Sequence, residues 1–154
     1  MNFKILSFNW HEPYLCLLAR IGFEFLIVEP EITPGRCRNW DKNMRPVPEN
    51  VSLISMTTAR EMLELGELDL IIAHNIKDLI EVKDYSLPKI IVFHNCLTTE
   101  IKLGKDSVNR ADYLEKVNFL LDGVQKVFIS EKKQRDWGLK GDVILPGLDI
   151  SEYG

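Results

Sequence analysis

The sequence predicts an α/β fold: a doubly wound, mainly parallel sheet of about seven strands with helices on both faces, a three-layer sandwich. Short apolar runs of β type alternate with helical segments along the chain. Several runs, such as "LIIAH" and "KIIVFH", are nearly continuous in apolar residues, as strands buried on both faces must be. With 154 residues, 45% of them apolar and 27% charged, the chain can build one domain with a real core.

The first strand is expected over Phe3–Phe8. Pro13 suits a first helical position and Gly22 the residue just past a helix end, so a helix is read between them. That helix is apolar almost all round, which predicts deep burial. A second strand, Phe25–Val28, precedes the one long irregular segment, Pro30 to Asn50. The segment carries four prolines and gathers Arg36, Arg38 and Arg45 around Trp40. A loop of this length is usually functional or disordered, and its composition suits a ligand or partner contact as well as a bare surface loop.

Val51–Ser55 is the third strand, and Thr58 with Glu61 reads as a capping box opening the next helix. Leu68–His74 and Lys89–His94 are the fourth and fifth strands, with Asn75 placed to cap a helix between them. Val108, Ala111, Leu114, Val117 and Leu121 share a helical face that Gly123 would end. Lys126–Ser130 is a strand, Ser130 caps a helix over Glu131–Trp137, Gly138 stops it, and Asp142–Leu145 is the last strand. Such alternation implies right-handed crossovers and a Rossmann-like sheet.

Several function classes are set aside. A net charge of −4 with scattered basic residues gives no nucleic-acid footprint, and "SEKKQR" reads as the solvated face of a helix. No apolar run approaches the ~20 residues of a membrane span. "MNFKILSFNW" lacks a signal-peptide pattern, so a cytoplasmic protein is expected. The three cysteines, Cys16, Cys37 and Cys96, have no framework spacing, and Cys16 in its apolar helix reads as core. There is no dinucleotide fingerprint, no phosphate-binding P-loop and no nucleophile elbow.

The three histidines carry the sharpest inference. His11 lies just past the first strand, His74 ends the fourth and His94 ends the fifth. Ligands of open α/β sheets bind beyond the carboxyl ends of the strands, so all three belong to the ligand edge. A buried structural histidine is the alternative for each alone. Polar neighbours follow each: Glu12, Asn75 and Asn95. They suit a polar ligand such as a sugar, though Asn75 could equally serve as a helix cap. A zinc site from His11, His74, His94 and Cys96 is conceivable by ligand type, but no local spacing supports it, and no metal is expected. The first turn, Asn9-Trp10-His11-Glu12, holds no glycine, and Glu12 puts a carboxylate where a phosphate would otherwise sit. Trp10 there offers a flat face to an acceptor, with His11 and Glu12 offering hydrogen bonds. Alternatively Trp10 packs over the sheet end and Glu12 caps the helix.

Set out this way, the chain resembles the N-terminal domain of a GT-B glycosyltransferase, closest to glycosyltransferase family 4. "KVFISEKKQRDWGLKGDVILPGLDISEYG" resembles the family stretch in which a strand ending in Ser leads through a short helix and a strand to a Gly-x-Asp turn and an aromatic, here Ser130, Gly147, Asp149 and Tyr153. "DLIIAHN" and "KIIVFHN" resemble the family's two histidine-ending strands. The resemblance implies an acceptor-holding domain over residues 1–146 and the start of an interdomain linker over 147–154. The nucleotide-sugar donor would be held by a second domain lying beyond this chain. It implies a cleft position for His74 near the transferred sugar, as the tentative catalytic group, with His94 and Asn95 at the cleft edge. Gly147 and Asp149 would be structural. The partners implied are a nucleotide-sugar donor and a sugar or lipid-linked acceptor, with no further cofactor. Little transfer is expected from the chain alone, because donor and acceptor could not both be positioned. A domain exposing an apolar cleft wall could also dimerise through it. The alternative is a non-catalytic Rossmann-like module that binds a small ligand or a protein partner; a small hydrolase or metalloenzyme using the histidines and Cys96 is a third.

Overall fold

The computed structural model describes residues 3–30, 39–103 and 108–147. Arg36, Cys37, Arg38, Asp149 and Tyr153 therefore lie outside the described residues. Seven strands form one parallel sheet in the order β3-β2-β1-β4-β5-β6-β7. They are β1 Lys4–Phe8, β2 Glu24–Glu29, β3 Val51–Ser55, β4 Leu70–Ala73, β5 Lys89–Phe93, β6 Gln125–Phe128 and β7 Asp142–Val143. Among the described residues there are six helices: α1 Glu12–Ala19, α2 Met56–Glu64, α3 Ile76–Glu81, α4 Leu97–Leu103, α5 Arg110–Leu121 and α6 Glu131–Trp137. The expected α/β alternation is thus present, and among the described residues no helix is long and apolar enough to cross a membrane. The chain divides into two compact units, the first Met1–Ile72 with Tyr85–Pro88 and Pro146–Gly154, the second Ala73–Asp84 with Lys89–Leu145.

In the first unit β1 pairs in parallel with β2, which pairs with β3, so that Leu6 meets Leu26 and Leu26 meets Ser52. Phe25 to Val28 are all buried, as a strand with neighbours on either side requires. The helix expected between Pro13 and Gly22 starts one residue earlier, at Glu12, and is less deeply set than its composition suggests. Only Glu12, Leu15 and Ala19 are buried, one face of the helix, while Cys16, Leu17 and Leu18 are half-buried. Gly22 has φ 81°, the left-handed conformation that ends the segment. The capping box is also corrected. Ser55, not Thr58, caps α2, accepting a hydrogen bond from the Thr58 amide at 3.0 Å. Thr58 occupies the third helical position instead, its hydroxyl 3.0 Å from that of Ser55.

The segment after residue 38 folds back onto the first unit, which corrects the expectation that Trp40 meets a ligand. Trp40 is buried. Its indole N–H donates to the Arg45 carbonyl at 2.9 Å, and its backbone amide bonds the Glu29 carboxylate. Asn50 closes the segment by donating to the carbonyls of Ala19 and Phe23, each at 2.7 Å. The prolines and arginines suggested a surface loop. The Trp40 side chain gains more from burial, because its one polar group, the indole N–H, is satisfied inside.

The second unit has an apolar core of Ala73, Ile76, Leu79, Ile91, Phe93, Leu97, Val117, Leu120, Leu121, Val124, Phe128 and Trp137. Phe93 stacks on Phe128 at 4.8 Å and packs against Trp137 at 4.4 Å between ring centroids. Three caps work locally. Asn75, Asn109 and Ser130 each accept from the amide three residues on, and Gly138 (φ 66°) ends α6 as the sequence indicated. Thr98 of α4, Arg110 of α5 and Asp136 of α6 are tied together: Arg110 donates to Thr98 Oγ1 and Asp136 Oδ1 at 3.0 Å each. Gly141 admits β7 beside β6, since a Cβ there would stand 2.5 Å from the Lys126 carbonyl oxygen and 2.9 Å from the Phe128 ring. Gly141→Ala should therefore cost about 1–3 kcal/mol by overpacking. Gly147→Ala, with nothing within 4 Å of the new Cβ, should leave the urea midpoint unchanged. Equal midpoints for the two variants would contradict this packing.

Candidate functional site

Two groups of sequence-predicted residues are seen, one in each unit. In the first unit, β1 carries Phe8 into the core and the chain turns at Asn9, whose amide donates to the Val28 carbonyl at 3.0 Å. The Asn9 side chain is fully buried, and among the described residues neither of its polar atoms has a hydrogen-bond partner. A carboxamide in that state is costly, by about 1–3 kcal/mol. Trp10 is half-buried. His11 is exposed and stands at the N-cap of α1 without capping it by its side chain. Glu12 opens the helix, is 1% exposed, and accepts the Asp41 amide at 3.3 Å.

In the second unit, the structure brings His74 and His94 together. His74 follows β4 directly and His94 follows β5. Parallel strands that end at the same level deliver the next residue of each to the same edge. The His74 backbone is held by α3: its amide donates to Asp78 Oδ2 at 2.8 Å, while Asp78 donates its own amide to Asn75 Oδ1 at 3.1 Å. This reciprocal pair satisfies the helix start and locks the residue before it. His74 Nδ1 then lies 3.0 Å from His94 Nε2, the rings tilted by 44°.

Beside Asn75 and Asn95, two groups that the sequence reading did not single out surround the pair. Glu100, in the first turn of α4, is 4% exposed, and its Oε1 accepts from Asn95 Nδ2 at 2.9 Å. Trp137, 1% exposed, donates its indole N–H to the Asn95 carbonyl at 2.9 Å. His74, Asn75, Ile76, Phe93, His94, Asn95, Glu100 and Trp137 line a recess of about 10 Å³, room for one water-sized group. Trp137 could have been suspected as the one large apolar residue in a charged helix. Glu100 had no comparable signal. Cys96, half-buried, accepts the amides of Thr99 and Glu100 through its backbone carbonyl. Among the described residues no three His, Cys, Asp or Glu side chains are grouped to hold a metal ion.

The chemistry of the pair follows from proton counting. Burial, and then the neighbouring His94, push His74 well below its ordinary value near 6.5, so it is neutral. One ring nitrogen must donate and the other accept. If His94 takes up a proton, its Nε2–H donates to His74 Nδ1 and the bond survives. A second proton would set two N–H groups face to face at 3.0 Å. Two protonated rings would therefore break the contact.

No protein-family model, curated protein or solved structure matches the chain.

The depressed His74 value has a consequence for stability. The unfolded chain protonates this residue near pH 6.5, while the folded chain keeps it neutral. The unfolded state then binds more protons, so the contribution is fully present above about pH 6.5 and is lost as pH falls toward the folded value. His74→Gln abolishes this titration. The urea midpoint of the variant should fall less than that of the unmodified chain between about pH 7 and about pH 5. Parallel declines would contradict a buried neutral His74.

Proposed function

We propose that the chain is the acceptor-holding domain of a GT-B glycosyltransferase of the family 4 type, which moves a sugar from a nucleotide-sugar donor to an acceptor hydroxyl. The observation that carries this reading is the bonded histidine pair beyond the ends of two parallel strands. A hydroxyl acceptor needs a partner able both to accept its proton and to orient it, and a neutral imidazole backed by a second one does both. His94 meets the hydroxyl through Nδ1, while its Nε2–H donates to His74 Nδ1 behind it both before and after His94 gains a proton. Asn75 and Asn95 border the same recess with amide groups, the usual complement to sugar hydroxyls.

At the first strand end, the buried Glu12 carboxylate disfavours a phosphate. This fits an acceptor role for the domain, with donor phosphates held by a second domain of the enzyme. The non-catalytic alternative drew on Trp10, Trp40 and the arginine-bearing segment, and of these Trp40 is buried.

The reading is tested by nuclear magnetic resonance titration of the chain with a panel of mono- and disaccharides. Binding should shift signals of His94, Asn95 and Asn75. His94→Ala should weaken binding about tenfold, the worth of one hydrogen bond to a buried polar group. A panel that leaves these signals unmoved, together with an unchanged response in His94→Ala, would overturn it.

A further inference from the structure

We propose that Glu100 and Trp137 are positioning residues for the histidine pair: acting through Asn95, they hold His94 where its Nε2 meets His74 Nδ1. The proposal deepens the reading of His94 as the ligand-facing group and rests on it for its functional meaning, though its geometry stands alone.

A residue just past a strand lacks the hold of the sheet ladder. His94 follows the last residue of β5, so the sheet ladder fixes the backbone up to Phe93 and no further. The next residue, Asn95, is gripped on both of its polar sides. Its carbonyl takes the Trp137 indole N–H at 2.9 Å, and its side-chain amide gives a hydrogen bond to Glu100 Oε1 at 2.9 Å. The two grips come from different helices, α6 and α4. Each is made by a buried group, Trp137 at 1% exposure and Glu100 at 4%. Trp137 is itself immobilised against Phe93, the residue on the other side of His94, at 4.4 Å between ring centroids. His94 is thus bracketed: Phe93 and Asn95 are both anchored by the same tryptophan, and Asn95 a second time by Glu100.

Two such bonds fix the backbone of residue 95 in position and in rotation, and the position of the His94 ring follows. Its partner needs no such help, because Asp78 already holds the His74 amide at 2.8 Å. A ring-to-ring hydrogen bond weakens steeply with misalignment, so loss of either grip should show first in that bond. A carboxylate buried beside a carboxamide has an obvious structural use as well. What separates positioning from mere stability is whether the two imidazoles notice the change while the fold persists.

The experiment uses the full chain with nitrogen-15 in its histidine rings, observed near neutral pH. In the unmodified chain the inter-ring bond couples the tautomers of His74 and His94, so that one of the two facing nitrogens carries the proton and the other is bare. Glu100→Ala and Trp137→Phe should each lose this pattern at His94, whose nitrogens should move toward tautomer-averaged shifts. Glu100→Gln keeps an acceptor oxygen for Asn95 and should restore the pattern. Circular dichroism establishes that each variant is folded. Should Glu100→Ala fail to fold, Asn95→Ala removes the same grip from a half-buried site and should give the same loss. Folded Glu100→Ala, or folded Asn95→Ala, with both rings unchanged would overturn the proposal. No saccharide enters this measurement, so a failed saccharide titration would sink the functional reading and leave the positioning result intact, and the reverse also holds.

Discussion

The hydrogen bond between His74 and His94 is the constraint on which the candidate site depends. It spans 20 residues of sequence and exists because β4 and β5 run in the same direction and release their next residues at one edge. An antiparallel partner would have sent one of the two rings to the opposite end. Nearly everything notable nearby serves that contact. Asp78 holds the His74 backbone, Asn75 holds Asp78, and Trp137 and Glu100 hold the residue after His94. Burial keeps His74 neutral, and neutrality lets it act as a hydrogen-bond acceptor rather than a competing charge.

The turns that follow β4 and β1 handle their polar groups in opposite ways. Beyond β4 the carboxylate of Asp78 and the carboxamide of Asn75 each satisfy a named backbone amide. Beyond β1 the Glu12 carboxylate receives the Asp41 amide, while the buried Asn9 carboxamide bonds to nothing among the described residues. The first arrangement is a rigid support. The second leaves a polar group whose desolvation is not repaid within the first unit, the kind of local conflict that tends to mark a functional position. The lack of glycine in this turn, and the carboxylate at its helix start, set it apart from a phosphate-binding loop.

Much of the fold was legible because its signals are local. Doubly buried strands need nearly unbroken apolar runs, and all seven runs became strands. Their ends differ by a residue or two because polar residues such as Lys4, Glu24 and Gln125 can occupy the first or last ladder position. Ser130 and Asn75 were readable as caps because a cap is decided within four residues. Ser55 was missed because Thr58 offers the same hydroxyl chemistry three residues later. Trp40 was misread because composition reports an average, whereas its burial depends on the Arg45 carbonyl and on Glu29, across the irregular segment. At the site, the placement of the histidines at strand ends was visible in the sequence. Their mutual contact, and the support from Glu100 and Trp137, were not. Trp137 meets Asn95 across 42 residues, and no periodicity encodes such a meeting.

His74 and His94 are joined by a direct ring-to-ring hydrogen bond, and the unmodified chain can be asked about it directly. A nitrogen–nitrogen scalar coupling measured between His74 Nδ1 and His94 Nε2 reports a hydrogen bond between those two atoms and no others. A resolved coupling is predicted at neutral pH. Two independently titrating rings with no coupling between them would contradict it.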